Sequence, residues 1–231
     1  FMASMLEKSG VIEEVFDVAY KWLGRIPGGL AVATVVASTV LAAMVGVIGA
    51  AVVTMALVAL PSMLRRGYSP VLAVGTVMAG GTLGILIPPS VLAIVYGLVA
   101  NQSVGELYLG SVFPGLVLSG LYILFSVGYA LLNPKAAPRL SPEEAPAWCV
   151  RGRALGSIWS PLVLIFLVLG TIFLGLAAPT EAAAIGAFGA MVVAAIHRRL
   201  SWTILRLALE QTAKATAMVM WIVFGANAFV G

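Results

Sequence analysis

An apolar stretch over residues 68–100 is long enough to cross a bilayer, yet its middle holds Gly-Gly-Thr-Leu-Gly-Ile-Leu-Ile-Pro-Pro at positions 80–89. No helix passes through that run undisturbed. Pro88 and Pro89 supply no amide donor and clash with the turn before them, and each biases its predecessor toward extended backbone. Gly80, Gly81 and Gly84 weaken the preceding turns. The reading is two half-helices, over 70–80 and 89–100, joined by an unwound link. Hydrocarbon tolerates such a link only where protein covers it or where it borders a polar cavity, because unpaired amides are costly there. The first half-helix ends in bare carbonyls suited to a cation. The second begins around Pro89 and Ser90 with free amides suited to a carboxylate. The alternative is a packing kink in which Gly80 and Gly84 make a small-xxx-small contact between helices.

Composition sets the solvent. The 231 residues are 61% hydrophobic and 10% charged, with a mean hydropathy of +1.09, more apolar surface than a water-soluble core of that size hides. The expected class is all-α and polytopic, since the apolar runs are too continuous for the alternating strands of a membrane barrel. The net charge of +4 comes from short basic clusters between apolar segments, so it reflects topology and no nucleic-acid partner. The single cysteine, Cys149, falls in a polar loop with no Cys or His at ligand spacing. The chain starts at Phe1, shows no signal peptide, and stops at Gly231 soon after a new apolar run begins. The expectation is a fragment of a longer permease.

Five segments follow. Residues 1–27 read as an interfacial amphipathic arm helix, with Val11, Val15, Val18 and Trp22 on one apolar face, ended by Pro27-Gly28-Gly29. Residues 28–66 hold two uncharged arms, 30–44 and 50–64, each about 22 Å of helix against a hydrocarbon core of roughly 30 Å. Arg25 before them and Arg65-Arg66 after them place both ends on the cytoplasmic side. Two short spans satisfy the charges equally, but length favours a re-entrant hairpin with its tip at 45–50. Residues 67–132 are the broken helix, an outer loop at 101–106 without Lys or Arg, and one long span. Residues 133–156 are a cytoplasmic loop with Pro134, Pro138, Pro142 and Pro146. Residues 157–231 hold spans at 158–176 and 182–196, then a second amphipathic segment capped by Ser201 and an incomplete apolar run. An amphipathic segment followed by an apolar run thus occurs twice, as in a transporter with an inverted repeat whose second copy is incomplete.

No enzymatic motif is present: there is no phosphate-binding glycine loop with Lys, no HExxH, and one histidine, His197, read as a helix C-terminal cap. Glu181 reads as a first-turn acid behind an N-cap at Thr180. The hairpin tip offers Gly46 and Gly49, which permit close approach, and with Val47 and Ile48 a set of carbonyls able to face an ion. Thr54 and Thr82 add hydroxyls nearby in sequence. No cofactor is expected beyond a coupling ion.

The run LPSMLRRGYSPVLAVGTVMAGGTLGILIPPSVLAIVYG at 60–97, SVGELYLGSVFPGL at 103–116 and APTEAAAIGA at 178–187 closely resemble the large membrane subunit of tripartite ATP-independent periplasmic (TRAP) transporters. The resemblance covers essentially the whole chain. It implies an elevator-type, sodium-coupled importer in the bacterial inner membrane. Such a transporter works with a small membrane subunit and a periplasmic solute-binding protein to take up small organic acids. Carried over, it makes Gly46–Gly49 and Gly81, Thr82, Gly84 and Pro88 ligand-bearing backbone positions, with sodium held by backbone at Gly46, Ile48, Gly49, Thr82 and Gly84. Pro89 and Ser90 complete the expected substrate and ion set. Many relatives carry Ser-Gly-Ser-Ser at the tip, where this chain has Val45-Gly46-Val47-Ile48, so only carbonyls can ligate there. A carrier that needs no binding protein, or a scaffold subunit that transports nothing, are the alternative functions.

Overall fold

The computed structural model describes residues 1–46, 48–139 and 148–230, and among these every regular element is a helix. In chain order they are α1 (Met2–Lys8), α2 (Val11–Leu23), α3 (Gly29–Val45), α4 (Ile48–Arg65), α5 (Pro70–Leu86), α6 (Val91–Ala100), α7 (Val104–Leu132), α8 (Trp148–Phe173), α9 (Pro179–Ile196) and α10 (Trp202–Val230). By length and composition, α4, the α5–α6 pair, α7 and α9 are each able to cross a membrane, while α3 and the apolar part of α8 are shorter.

Helix α3 sits at the centre. It is apolar on all sides and buried over most of its length, the pattern of a helix enclosed by others. Helices α2, α4, α5 and α7 pack around it, and a second group of α1, α8, α9 and α10 leans on this body through α1 and α2. Glycines 28 and 46, at φ +66 and +64, turn the chain into and out of α3. One of its unpaired first-turn amides is met from a distance: the buried Leu30 N–H donates to the Tyr68 hydroxyl at 3.2 Å. Burial raises the Tyr68 phenol above its ordinary value, so it stays a neutral acceptor.

Four sequence expectations change. The arm over residues 1–27 is two helices, because Gly10 turns left-handed at φ +73 and the Ser9 hydroxyl closes α1 by donating to the Leu6 carbonyl at 2.8 Å. Val11, Val15 and Val18 are buried against protein, but Trp22 is 40% exposed and leaves that face. At α9 the N-cap is Ala178, not Thr180; the Glu181 carboxylate reaches back to accept the Ala178 N–H at 2.9 Å. Cys149 lies in the first turn of α8, which begins eight residues before the expected loop ends. The rest of that loop, 140–147, lies outside the described residues.

His197 does end α9, and it also ties three helices together. Its Nε2 lies 2.8 Å from Ser160 Oγ on α8, and its Nδ1 lies 3.4 Å from a Glu14 carboxylate oxygen on α2. Arg199 reaches the other Glu14 oxygen at 3.6 Å. The second amphipathic segment and the apolar run after it form one continuous helix, α10, whose start is capped by Ser201 Oγ accepting the Ile204 N–H at 3.3 Å.

Candidate ion and substrate site

The break in the membrane-length segment is real but shorter than the glycines suggest. Helix α5 runs on through Gly80, Gly81, Thr82 and Gly84 to Leu86, and only Ile87–Ser90 leave the helical path before α6 starts. Two of the glycines serve packing instead. A β-carbon at Gly80 would run into the Ser38 side chain, and one at Gly81 into Val52, so these positions let α5 close on α3 and α4. Thr82 is exposed; its hydroxyl donates to the Ala79 carbonyl at 2.7 Å and lies 3.3 Å from the Tyr122 hydroxyl on α7. Its side chain is therefore turned to α7 and not to the break.

The prolines act one turn upstream. In a helix the carbonyl of residue i accepts from the N–H of residue i+4. Leu83 keeps this bond, to the Ile87 N–H at 2.9 Å. The next two carbonyls, Gly84 and Ile85, would need donors from Pro88 and Pro89, which have none. Gly84, a residue expected to hold sodium, thus has a physical reason to offer its oxygen. Ile85 shares that reason and was missed; the signal lay in counting four back from Pro89.

The hairpin turn meets the break. The Val91 N–H donates to the Gly46 carbonyl at 3.3 Å, so the first turn of α6 is fastened to the end of α3. Gly46 is left-handed, and a β-carbon there would collide with the Pro89 carbonyl. Both facts demand glycine. Ile48 and Gly49 begin α4, and a β-carbon at Gly49 meets open space, so Gly49 does not share the constraint. Val47 lies outside the described residues. Thr54 is buried within α4, six residues beyond Ile48, and does not line the cavity at the break.

Ser90 is the N-cap of α6 and fully buried. Its carbonyl accepts from the Tyr108 hydroxyl and the Ile94 N–H, each at 3.3 Å, while its own Oγ has no hydrogen-bond partner. An unpaired buried hydroxyl is costly, and a bound polar group removes the cost. Ser90 and Pro89 line a cavity of about 300 Å³ at the seam between the two helix groups, with Met44, Val45 and Tyr108 on one wall and Ile172 and Pro179 on the other. The structure therefore brings Gly46, Pro88, Pro89 and Ser90 together and leaves Thr54 and Thr82 outside. Tyr108, buried on α7, was not singled out from sequence. Among the described residues no cluster of His, Cys, Asp or Glu is able to hold a metal, so the oxygen donors here are main-chain carbonyls and hydroxyls, the kind suited to a hard monovalent cation.

The family model described as the DctM component of the tripartite ATP-independent periplasmic transporter matches residues 1–231. The chain belongs to that family. The C4-dicarboxylate TRAP transporter large permease protein DctM of Pseudomonas aeruginosa is 36% identical over 98% of this chain and 52% of its own length. The ectoine/5-hydroxyectoine large permease protein UehC of Ruegeria pomeroyi is 30% identical over 97% of the chain and 50% of its own length. The isethionate permease protein DctMQ of Oleidesulfovibrio alaskensis is 31% identical over 95% and 34%. The chain spans about half the length, or less, of these curated relatives. A TRAP large permease chain is a multi-pass inner-membrane protein and a transporter subunit, not an enzyme.

Proposed function

We propose that this chain supplies half of the cation and substrate site of a secondary importer, coupling sodium entry to uptake of a small organic acid. A small membrane subunit and a periplasmic solute-binding protein are its partners. The observation that supports this reading most directly is the pairing of two carbonyls, Gly84 and Ile85, whose helical donor positions are the prolines 88 and 89, with an unpartnered buried Ser90 hydroxyl across four non-helical residues. A cation at the C-terminal end of α5 is favoured by the carbonyl dipoles, and a carboxylate at the N-terminal end of α6 by the amides. The relatives' names, C4-dicarboxylate and isethionate, are those of small organic anions.

The test is uptake into proteoliposomes holding the complete permease with its small subunit, with binding protein outside. The expected result is accumulation that requires an inward sodium gradient and the binding protein together. Equal accumulation under a potassium or proton gradient removes the sodium assignment, and uptake without the binding protein removes that partner.

A further inference from the structure

A second cavity lies between α5 and α7, starting on α7 one helical turn beyond Gly115, which packs against Ile87 of the break. Its volume is about 560 Å³, and its floor is made by Val35 of α3 with Leu72 and Thr76 of α5, all buried. The cavity exists because α5 presents Gly75 and Ala79 there; a β-carbon at Gly75 meets nothing within 4 Å. On the α7 side it extends from Leu118 to Tyr129, about 16 Å of helix, the depth of one leaflet of a hydrocarbon core about 30 Å thick.

The groove reaches towards the start of α5 and the end of α7, where the chain is basic. Ser69, next to the first residue of α5, donates its N–H to the Ala136 carbonyl at 2.9 Å, which holds the turn after α7 against the start of α5. Lys135 belongs to that turn and is exposed. The Pro138 ring lies 3.9 Å from a β-carbon built at Gly67, which brings the exposed Arg139 beside the same α4–α5 turn. Lys and Arg mark the cytoplasmic side, and basic pockets between membrane helices on that side recognise anionic headgroups.

We propose that this groove holds one acyl chain of an anionic phospholipid from the cytoplasmic leaflet, with the phosphate at Lys135 and Arg139. An apolar slot of one leaflet's depth beneath a cationic rim matches the shape and charge of that lipid. The site is separate from the sodium and substrate reading and does not depend on it.

The experiment is native mass spectrometry of the complete permease in mild detergent, titrated with palmitoyl-oleoyl phosphatidylglycerol or the matching phosphatidylethanolamine. The wild type is expected to retain the anionic lipid about thirtyfold better, the effect of two basic groups at a membrane surface. Lys135→Gln with Arg139→Gln is expected to reduce that preference to within about threefold. Gly75→Leu, which adds a side chain where a β-carbon meets nothing within 4 Å, is expected to remove the tightly held adduct of either lipid. A photoactivatable group on the acyl chain is expected to label residues 71–79 and 118–129. Equal retention of the two lipids by the wild type, unchanged retention in Gly75→Leu, or a photoreactive residue at Leu121 that captures another protein segment instead of lipid each overturns the proposal.

Discussion

The Gly46 carbonyl accepts the Val91 amide at 3.3 Å, and through that bond the end of α3 and the start of α6 hold each other in place. Neither helix end is finished by its own side chains, so each completes the other.

Gly46 carries the tightest requirement at this junction. Gly46→Ala must place a methyl group against the Pro89 carbonyl at a backbone angle that L-residues resist. Uptake should fall by more than about tenfold while the protein still inserts and runs as a single species on size exclusion. Gly49→Ala, at an open helical position, should retain transport within about twofold in the same assay.

Ser90→Ala removes a buried hydroxyl that has no hydrogen-bond partner. Thermal stability without substrate should be unchanged or slightly higher, since a buried unsatisfied group is deleted. The half-saturating concentration of sodium or substrate should rise about fivefold or more, measured in proteoliposomes. A lower melting temperature with unchanged saturation curves would identify Ser90 as merely structural.

Pro88→Ala returns an N–H to the position that faces the Gly84 carbonyl, and Pro89→Ala does so for Ile85. The double substitution should extend α5 and raise the sodium concentration for half-maximal uptake about tenfold. The substituted protein should be at least as helical by circular dichroism. Unaltered sodium dependence with added helix would count against carbonyl ligation.

Tyr68→Phe deprives the Leu30 N–H of its acceptor at the start of the central helix. The expected cost is about 1–2 kcal/mol, read as a lower midpoint in a thermal unfolding series, with transport of the folded fraction unaffected.

The helical class, the break and its general place were legible in the sequence, because hydropathy over residues 68–100 and two adjacent prolines are local signals. The extent of the break was not. Gly80 and Gly81 read as weak points in a helix, yet the same absent side chains are what Ser38 and Val52 need in order to approach. Only the partner helices decide which role a glycine plays. The arm shows the same limit: its apolar spacing was visible, but the turn at Gly10 and the loss of Trp22 from the buried face depend on where α3 and α8 lie. Thr54 and Thr82 were drawn to the site by proximity in sequence, while Tyr108 arrived from another helix altogether.

The oxygens that Pro88 and Pro89 release belong to the peptide unit itself. Mutation at codons 84 and 85 can rewrite the side chains there without erasing the proposed ligands, whereas losing either imino acid, four positions downstream of the carbonyl it frees, silences that oxygen. A coordination sphere of the proposed kind is inherited through the residues that withhold a donor, and a survey for acidic or hydroxylic signatures would pass straight over it.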